Sequence, residues 1–328
     1  MSRAPIAVAL AILLAACGGR EARDPFVDSR TPPGLATRFM PPEGWAWGLV
    51  QTGREPPQRY GVASPPVAPR GQVLIVTGLG ESAEGWFETV SDLNARGLTV
   101  WVLERAGQGG SGRKVARGGV IHATSFQPDV DAVRAMLSVV IHRQPPAPFV
   151  VLAHADAAVP ALLALERGAG ADGLVLAAPK LAPSKGLGAF PALAVRLGLG
   201  WPAPDARRWT RATPDVRSSR DRWRGPVQHA WEVANPDLRM TGPSWGWRAA
   251  YAKAGAQARK GAAKVRVPVL ILGPRAPARL CRAIASCTEQ DLGGGASPYL
   301  QPDAMRGPWL EAIARFVVTR SGASAHAP

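Results

Sequence analysis

Five short apolar runs, spaced by longer amphipathic stretches, leave this chain few ways to fold. They read QVLIVTGLG at 72–80, LTVWVLE at 98–104, FVVLAH at 149–154, ADGLVLAAP at 171–179 and VRVPVLILG at 265–273. Each is too short for a helix of ordinary length, and continuous apolarity marks a strand buried on both faces. The intervening stretches, among them AEGWFETVSDLNARG, DVDAVRAMLSVVIHR and VPALLALERG, carry helical periodicity, and GPWLEAIARFVV supplies a closing helix. Strands alternating with helices predict βαβ units and a mostly parallel sheet, hence the α/β class. WAWGLV and RYGVA add two edge strands ahead of the alternation.

The alternation stops between 181 and 263, where an insertion holds Trp201, Trp209, Trp223, Trp231, Trp245 and Trp247 among arginines. Guanidinium beside indole suits either a lipid–water interface or an ordinary cap that folds by stacking the two. The expected layout is a signal peptide at 1–16, a lipidated tether at 17–42, a core at 43–180 and 264–320, a cap at 181–263 and a loose tail at 321–328.

At the N-terminus, MSRAPIAVALAILLAAC joins a basic residue to an apolar run too short to span a bilayer, the build of an export signal. Its LAAC ending resembles the bacterial lipobox. That resemblance implies a lipid on Cys17, export to the cell envelope and an anchor made of acyl chains, with the outer membrane favoured by Gly18. Cys281 and Cys287 remain, and an oxidising compartment permits a bridge between them if the helix ends before the second. The formal charge of +15 favours anionic surfaces, membrane included. No nucleic-acid motif accompanies it, no ligand spacing marks a metal, and no cofactor is called for.

Four stretches then carry a family likeness. TGLGES at 77–82 resembles an oxyanion-hole loop, and LERAGQGGSGR at 103–113 resembles an Asp-x-Arg-Gly-x-Gly-x-Ser loop with Glu104 in place of the aspartate. AHADAA at 153–158 stands where a nucleophile elbow would be, and NPDLRMTGPSWGW at 235–247 resembles a cap segment. Together they resemble the lysophospholipase and monoacylglycerol lipase branch of the α/β hydrolases, which implies the α/β-hydrolase fold with an inserted cap.

The same likeness locates the catalytic positions. Small residues at Ala153 and Ala157 set the elbow's frame and put Ala155 at its tip, where a methyl group cannot attack an acyl carbon. Moving the frame to Asp156 places His154 where bulk is hardest to fit. The loop expected to present the histidine, GGGASPYLQPDAMR, has Ala296 near that place, and the acid loop GPRAPARLCRAIASC offers no carboxylate. All three triad roles are therefore expected to be vacant. The expectation is a non-catalytic binder of a lipid-like or acyl ligand, or of a protein partner; the alternative is an ester hydrolase rewired around Asp156 or His122. The backbone amides of Leu79 and Asp156 remain as oxyanion-type donors, unless the Asp156 carboxylate repels what they would hold. That carboxylate otherwise only favours a helix N-terminus. His122 and His154 are expected to be packing residues, and His326 lies in the tail. An imidazole brought within bonding reach of a hydroxyl or carboxylate in the cleft would overturn the loss of catalysis.

Overall fold

The computed structural model describes residues 22–115, 117–142, 147–181, 187–212, 219–273, 279–293, 295 and 297–320. Cys17, Ala296, His326, the signal segment and residues 274–278 of the acid loop lie outside the described residues.

The apolar runs pair as their continuity requires. In chain order the strands are β1 (Ala46–Val50), β2 (Gln58–Ala63), β3 (Gly71–Val76), β4 (Leu98–Leu103), β5 (Val120–Ile121), β6 (Phe149–His154), β7 (Gly173–Ala177), β8 (Gly242–Pro243), β9 (Val269–Leu272) and β10 (Cys287–Gln290). Eight of them form one sheet in the order β1-β2-β4-β3-β6-β7-β9-β10, and β5 and β8 make a separate pair. The β1–β2 and β2–β4 pairings are antiparallel, whereas every pairing from β4 to β10 is parallel.

The helices are α1 (Phe87–Asn94), α2 (Gln127–Ala135), α3 (Ala158–Glu166), α4 (Ala189–Arg196), α5 (Val227–Ala234), α6 (Trp245–Gly261), α7 (Leu280–Ala283) and α8 (Asp303–Val318). Alternation along β6 sends Val151 and Ala153 into one core with α2, α3 and α6, and Val150 and Leu152 into another with α1 and α8. The last helix of the insertion, α6, thus belongs to the main core through Trp247, Tyr251, Ala254 and Ala258. None of the helices among the described residues is long and apolar enough to cross a membrane.

Residues 22–42, expected to be a tether, lie against the domain instead. Phe39 is buried, and Phe26 and Leu35 pack on the same small cluster as Phe87, Trp231 and Leu238. Arg23 pairs backbone to backbone with Arg113, and the Arg30 amide donates to Asn235 Oδ1 at 2.7 Å. Three apolar side chains spaced along a polar stretch are too few to register as a periodic pattern, yet they cover an apolar patch that only the folded domain presents.

Cys281 and Cys287 are joined by a disulfide with Cα atoms 5.3 Å apart. Helix α7 stops at Ala283, and Ile284 is extended, which lets the chain turn back so that β10 can begin at Cys287. The bridge fastens the edge strand to α7. Replacing both cysteines with serine is expected to cost about 2 kcal/mol, the loop-entropy figure for so short a loop, and denaturant unfolding measures it.

Candidate functional site at the elbow

Strand β6 delivers the chain to the elbow at full burial, and the turn reverses into α3 within three residues. Ala155 at the tip has φ of +51°, a left-handed conformation that costs a non-glycine residue of the order of 1 kcal/mol. Its carbonyl accepts from the Lys180 amide at 2.9 Å, which ties the strained turn to the end of β7. Ala153 and Ala157 are fully buried on either side, where larger side chains would not fit.

Asp156 does more than favour a helix terminus, correcting that expectation. Its Oδ1 accepts from the Leu79 amide at 2.8 Å, and its Oδ2 is paired with Arg105. The Leu79 donor expected to remain for a ligand oxygen is thus engaged by the protein's own carboxylate. The reason lies in Arg105, which is 1% exposed and cannot lose its proton. Burial opposes its charge, but Asp129 and Asp156 outweigh burial and hold it above its ordinary pKa. Arg105 also lies over the Phe126 ring at 4.7 Å, so the guanidinium is fixed and holds one oxygen of Asp156 while the Leu79 amide holds the other.

A second buried cluster explains the glycine-rich loop. Arg59 donates to both oxygens of Glu104, at 2.8 and 2.7 Å, and to Glu84 at 2.7 Å. Glu104 also accepts from the amides of Ala83 and Gly110, both at 2.8 Å. A Cβ at Gly110 would meet the Arg59 guanidinium at 2.4 Å, and one at Gly109, whose φ is +53°, would meet the Glu104 carboxylate at 2.4 Å. Glycine is needed there because the backbone wraps directly over an ion pair.

Two imidazoles do lie within bonding reach of an oxygen, the arrangement named above as able to overturn the loss of catalysis. His122 Nδ1 is 2.9 Å from Ser244 Oγ. Ser244 is fully buried and caps α6, accepting from the Trp247 amide at 3.1 Å, so its hydroxyl is turned to the helix end. His154 Nδ1 is 2.6 Å from Glu81 Oε1. This pair is on the opposite face of the sheet from Ala153, between Trp86 and Tyr299 at ring distances of 5.5 and 5.2 Å. His154 is buried like a core residue, and its partner Glu81 is the one carboxylate of the TGLGES loop, a signal present in the sequence.

Burial alone would raise the Glu81 pKa, but the pairing with His154 and the N–H donors of Gly78 and Trp86 reverse this and hold it below its ordinary value. Stability from this carboxylate is therefore present above the ordinary glutamate range and is lost as pH falls through its lowered value. Glu81→Gln is expected to lower the melting temperature at neutral pH and to flatten the acid side of the stability–pH curve. Thermal melts across that range test this, and an unchanged acid limb would contradict it.

A cavity of about 480 Å³ opens between the β1–β2 loop, the glycine-rich loop and the segment leading into α2, with no residue of the elbow in its lining. Ala106, Gly107 and His122 line it from the core and Gly198 and Trp201 from the insertion, and Arg54, Glu55, Lys114 and Asp131 add charged groups to a largely apolar wall. Among the described residues there is no cluster of His, Cys, Asp or Glu able to hold a metal. The tryptophans of the insertion divide: Trp231 and Trp247 are core residues, Trp209 stacks under Arg239 at 3.8 Å, and Trp223 is 59% exposed.

Sheet order, the strained turn after β6 and the loop after β3 that faces it define an α/β hydrolase. The sequence profile of the family described as serine aminopeptidase, S33, matches residues 67–276, and the chain belongs to that family. No curated protein matches the sequence. Among solved structures it is similar to the monoacylglycerol lipase of Paleococcus ferrophilus, with 19% identity, a TM-score of 0.59 and coverage of 80% of this chain and 99% of that one. It is also similar to a soluble variant of the Saccharomyces cerevisiae monoglyceride lipase, with 16% identity, a TM-score of 0.59 and coverage of 90% and 98%. A thermostable carboxyl esterase from Bacillus coagulans gives 15% identity, a TM-score of 0.61 and coverage of 84% and 99%.

Proposed function

We propose that this chain is an exported, lipid-anchored protein of the bacterial envelope that uses an α/β-hydrolase scaffold for binding and does not perform Ser-His-Asp ester hydrolysis. The observation that carries this reading is at the elbow. The tip is Ala155, and the Leu79 amide that would stabilise an oxyanion is bonded to Asp156 instead. Ester hydrolysis needs a nucleophile and a donor aimed at developing negative charge. Here the first is a methyl group, and the second already holds a negative charge of the protein's own. The cavity lined by His122 and Trp201, largely apolar with a few charged residues at its wall, supports an amphiphile of lipid-like character as its occupant, with a protein partner as the other binding role.

Activity-based labelling tests the proposal. A fluorophosphonate probe is expected to leave the purified protein unmodified, while native mass spectrometry finds an amphiphile co-purifying with it. Covalent labelling of any serine would sink the reading. Metabolic labelling with an alkyne fatty acid tests the anchor, and its incorporation should vanish in Cys17→Ala.

The second reading is a rewired ester hydrolase, favoured by one observation, the contact between His122 and Ser244 at 2.9 Å beside the cavity. Turnover of lysophospholipid or short-chain esters that disappears in Ser244→Ala, with the fold intact, would establish it. Asp156 is a weaker nucleophile candidate, since both of its oxygens are engaged.

A further inference from the structure

A second cavity, of about 360 Å³, shares no lining residue with the elbow and is built from arginine. Arg23, Arg113, Arg208 and Arg239 line it together with Trp209, and Asp237 is the one carboxylate among the lining residues. Arg23 and Arg113 face each other across a backbone bridge, donating amide to carbonyl at 2.8 and 2.7 Å. Like charges directly opposite on paired strands repel. The two guanidiniums share carbonyl acceptors: Gly109 takes both at 3.0 and 3.1 Å, and Asp237 takes both as well. Ser111 and Arg239 each supply one more carbonyl, at 2.7 and 3.1 Å.

Carbonyl dipoles leave the net charge in place. Arg113 is 3% exposed, and the Nε atoms of both Arg23 and Arg113 are buried with no hydrogen-bond partner. The Asp237 carboxylate lies 3.9 Å from Arg23, with its side chain 64% exposed. Glu104 is committed to Arg59, and Glu232 is bonded to Trp209 Nε1 at 2.9 Å. Burial first, and then the neighbouring Arg23, pull the Arg113 pKa down to about 9. Two neighbouring cations, one of them buried, with a single and largely exposed carboxylate beside them are costly for the fold, and an anion in the cavity would relieve that cost. Arg239, stacked on Trp209 at 3.8 Å and held through its Nε, which donates to the Glu232 carbonyl at 3.0 Å, lines the same cavity.

We infer that the cavity bounded by Arg23, Arg113, Arg208 and Arg239 is a binding site for a phosphate group, carried either by a lipid headgroup or by a soluble ligand. Several guanidinium groups lining one space offer forked donors that suit the oxygens of phosphate better than a monovalent halide. This inference is independent of whether the elbow is catalytic.

The test uses the whole chain, with Arg208→Ala as the variant because Arg208 is exposed and takes no part in the core. Arg266→Ala, at an exposed position outside the cavity, serves as the control. Inorganic phosphate, against chloride at matched ionic strength, is expected to raise the melting temperature of wild type and of Arg266→Ala, with binding about tenfold weaker in Arg208→Ala. That result supports the site and assigns it to soluble phosphate. If inorganic phosphate has no effect but phosphatidylglycerol vesicles retain wild type and Arg266→Ala more strongly than Arg208→Ala, the site stands and reads a headgroup. If neither probe binds, or both variants lose binding equally, general charge attraction explains the data and the inference is overturned.

Discussion

Arg59→Met is expected to destabilise the fold by about 3–5 kcal/mol, lowering the melting temperature by roughly 10 °C. Methionine keeps much of the contact with Trp47 and Phe26, whose rings lie 4.0 and 4.7 Å from the guanidinium carbon, so the loss is mainly electrostatic. It strands Glu104 and Glu84, whose side chains are both 0% exposed. In wild type, burial opposes the Arg59 charge, but Glu104 and Glu84 more than reverse that and raise its pKa. The stranded glutamates must take up protons or stay buried as anions, so the destabilisation should grow from mildly acidic to mildly alkaline pH. Adding Glu104→Leu to the variant should cost less than the sum of the two single changes, as a thermodynamic cycle on urea unfolding would show. Strict additivity would mean that the cluster is not a coupled unit.

Asp156→Ala removes the carboxylate from both the Leu79 amide and Arg105. Arg105 keeps Asp129, at 3.0 Å, so the expected loss is smaller, about 2–3 kcal/mol. The vacated space offers an amide and a fixed guanidinium to any small anion. Formate or acetate is therefore expected to restore much of the lost melting temperature in a concentration-dependent way, and to do nothing comparable for wild type. Loss of stability without rescue would show that Asp156 only packs there. If the variant also gains esterase activity, the occupied amide is what silences the elbow, and the binding reading of the function fails.

Much of the architecture was legible because it depends on pattern. The run from Val73 to Val76 is apolar without a break, as a strand covered on both faces must be, and it lies near the centre of the sheet. The frame of the elbow was legible for the same kind of reason, since the turn tolerates only small residues at Ala153 and Ala157. The packing of residues 22–42 was not legible. Phe26, Leu35 and Phe39 follow no period, and their partners Phe87, Trp231 and Leu238 come from distant parts of the chain.

Charge geometry was the least legible layer. Sequence places Asp156 after the elbow and Arg105 after β4, but the orientation of a carboxylate depends on which cation is fixed nearby, and that cation lies 51 residues away. His154 and Glu81, and Arg23 and Arg113, are likewise brought together only by folding. The sequence by itself determined where strands run, where the elbow turns and which side chain stands at its tip, because those follow from local periodicity and size. Only the tertiary structure decided what each buried charge faces, because electrostatic partnership is set by distance in space and by the exclusion of water.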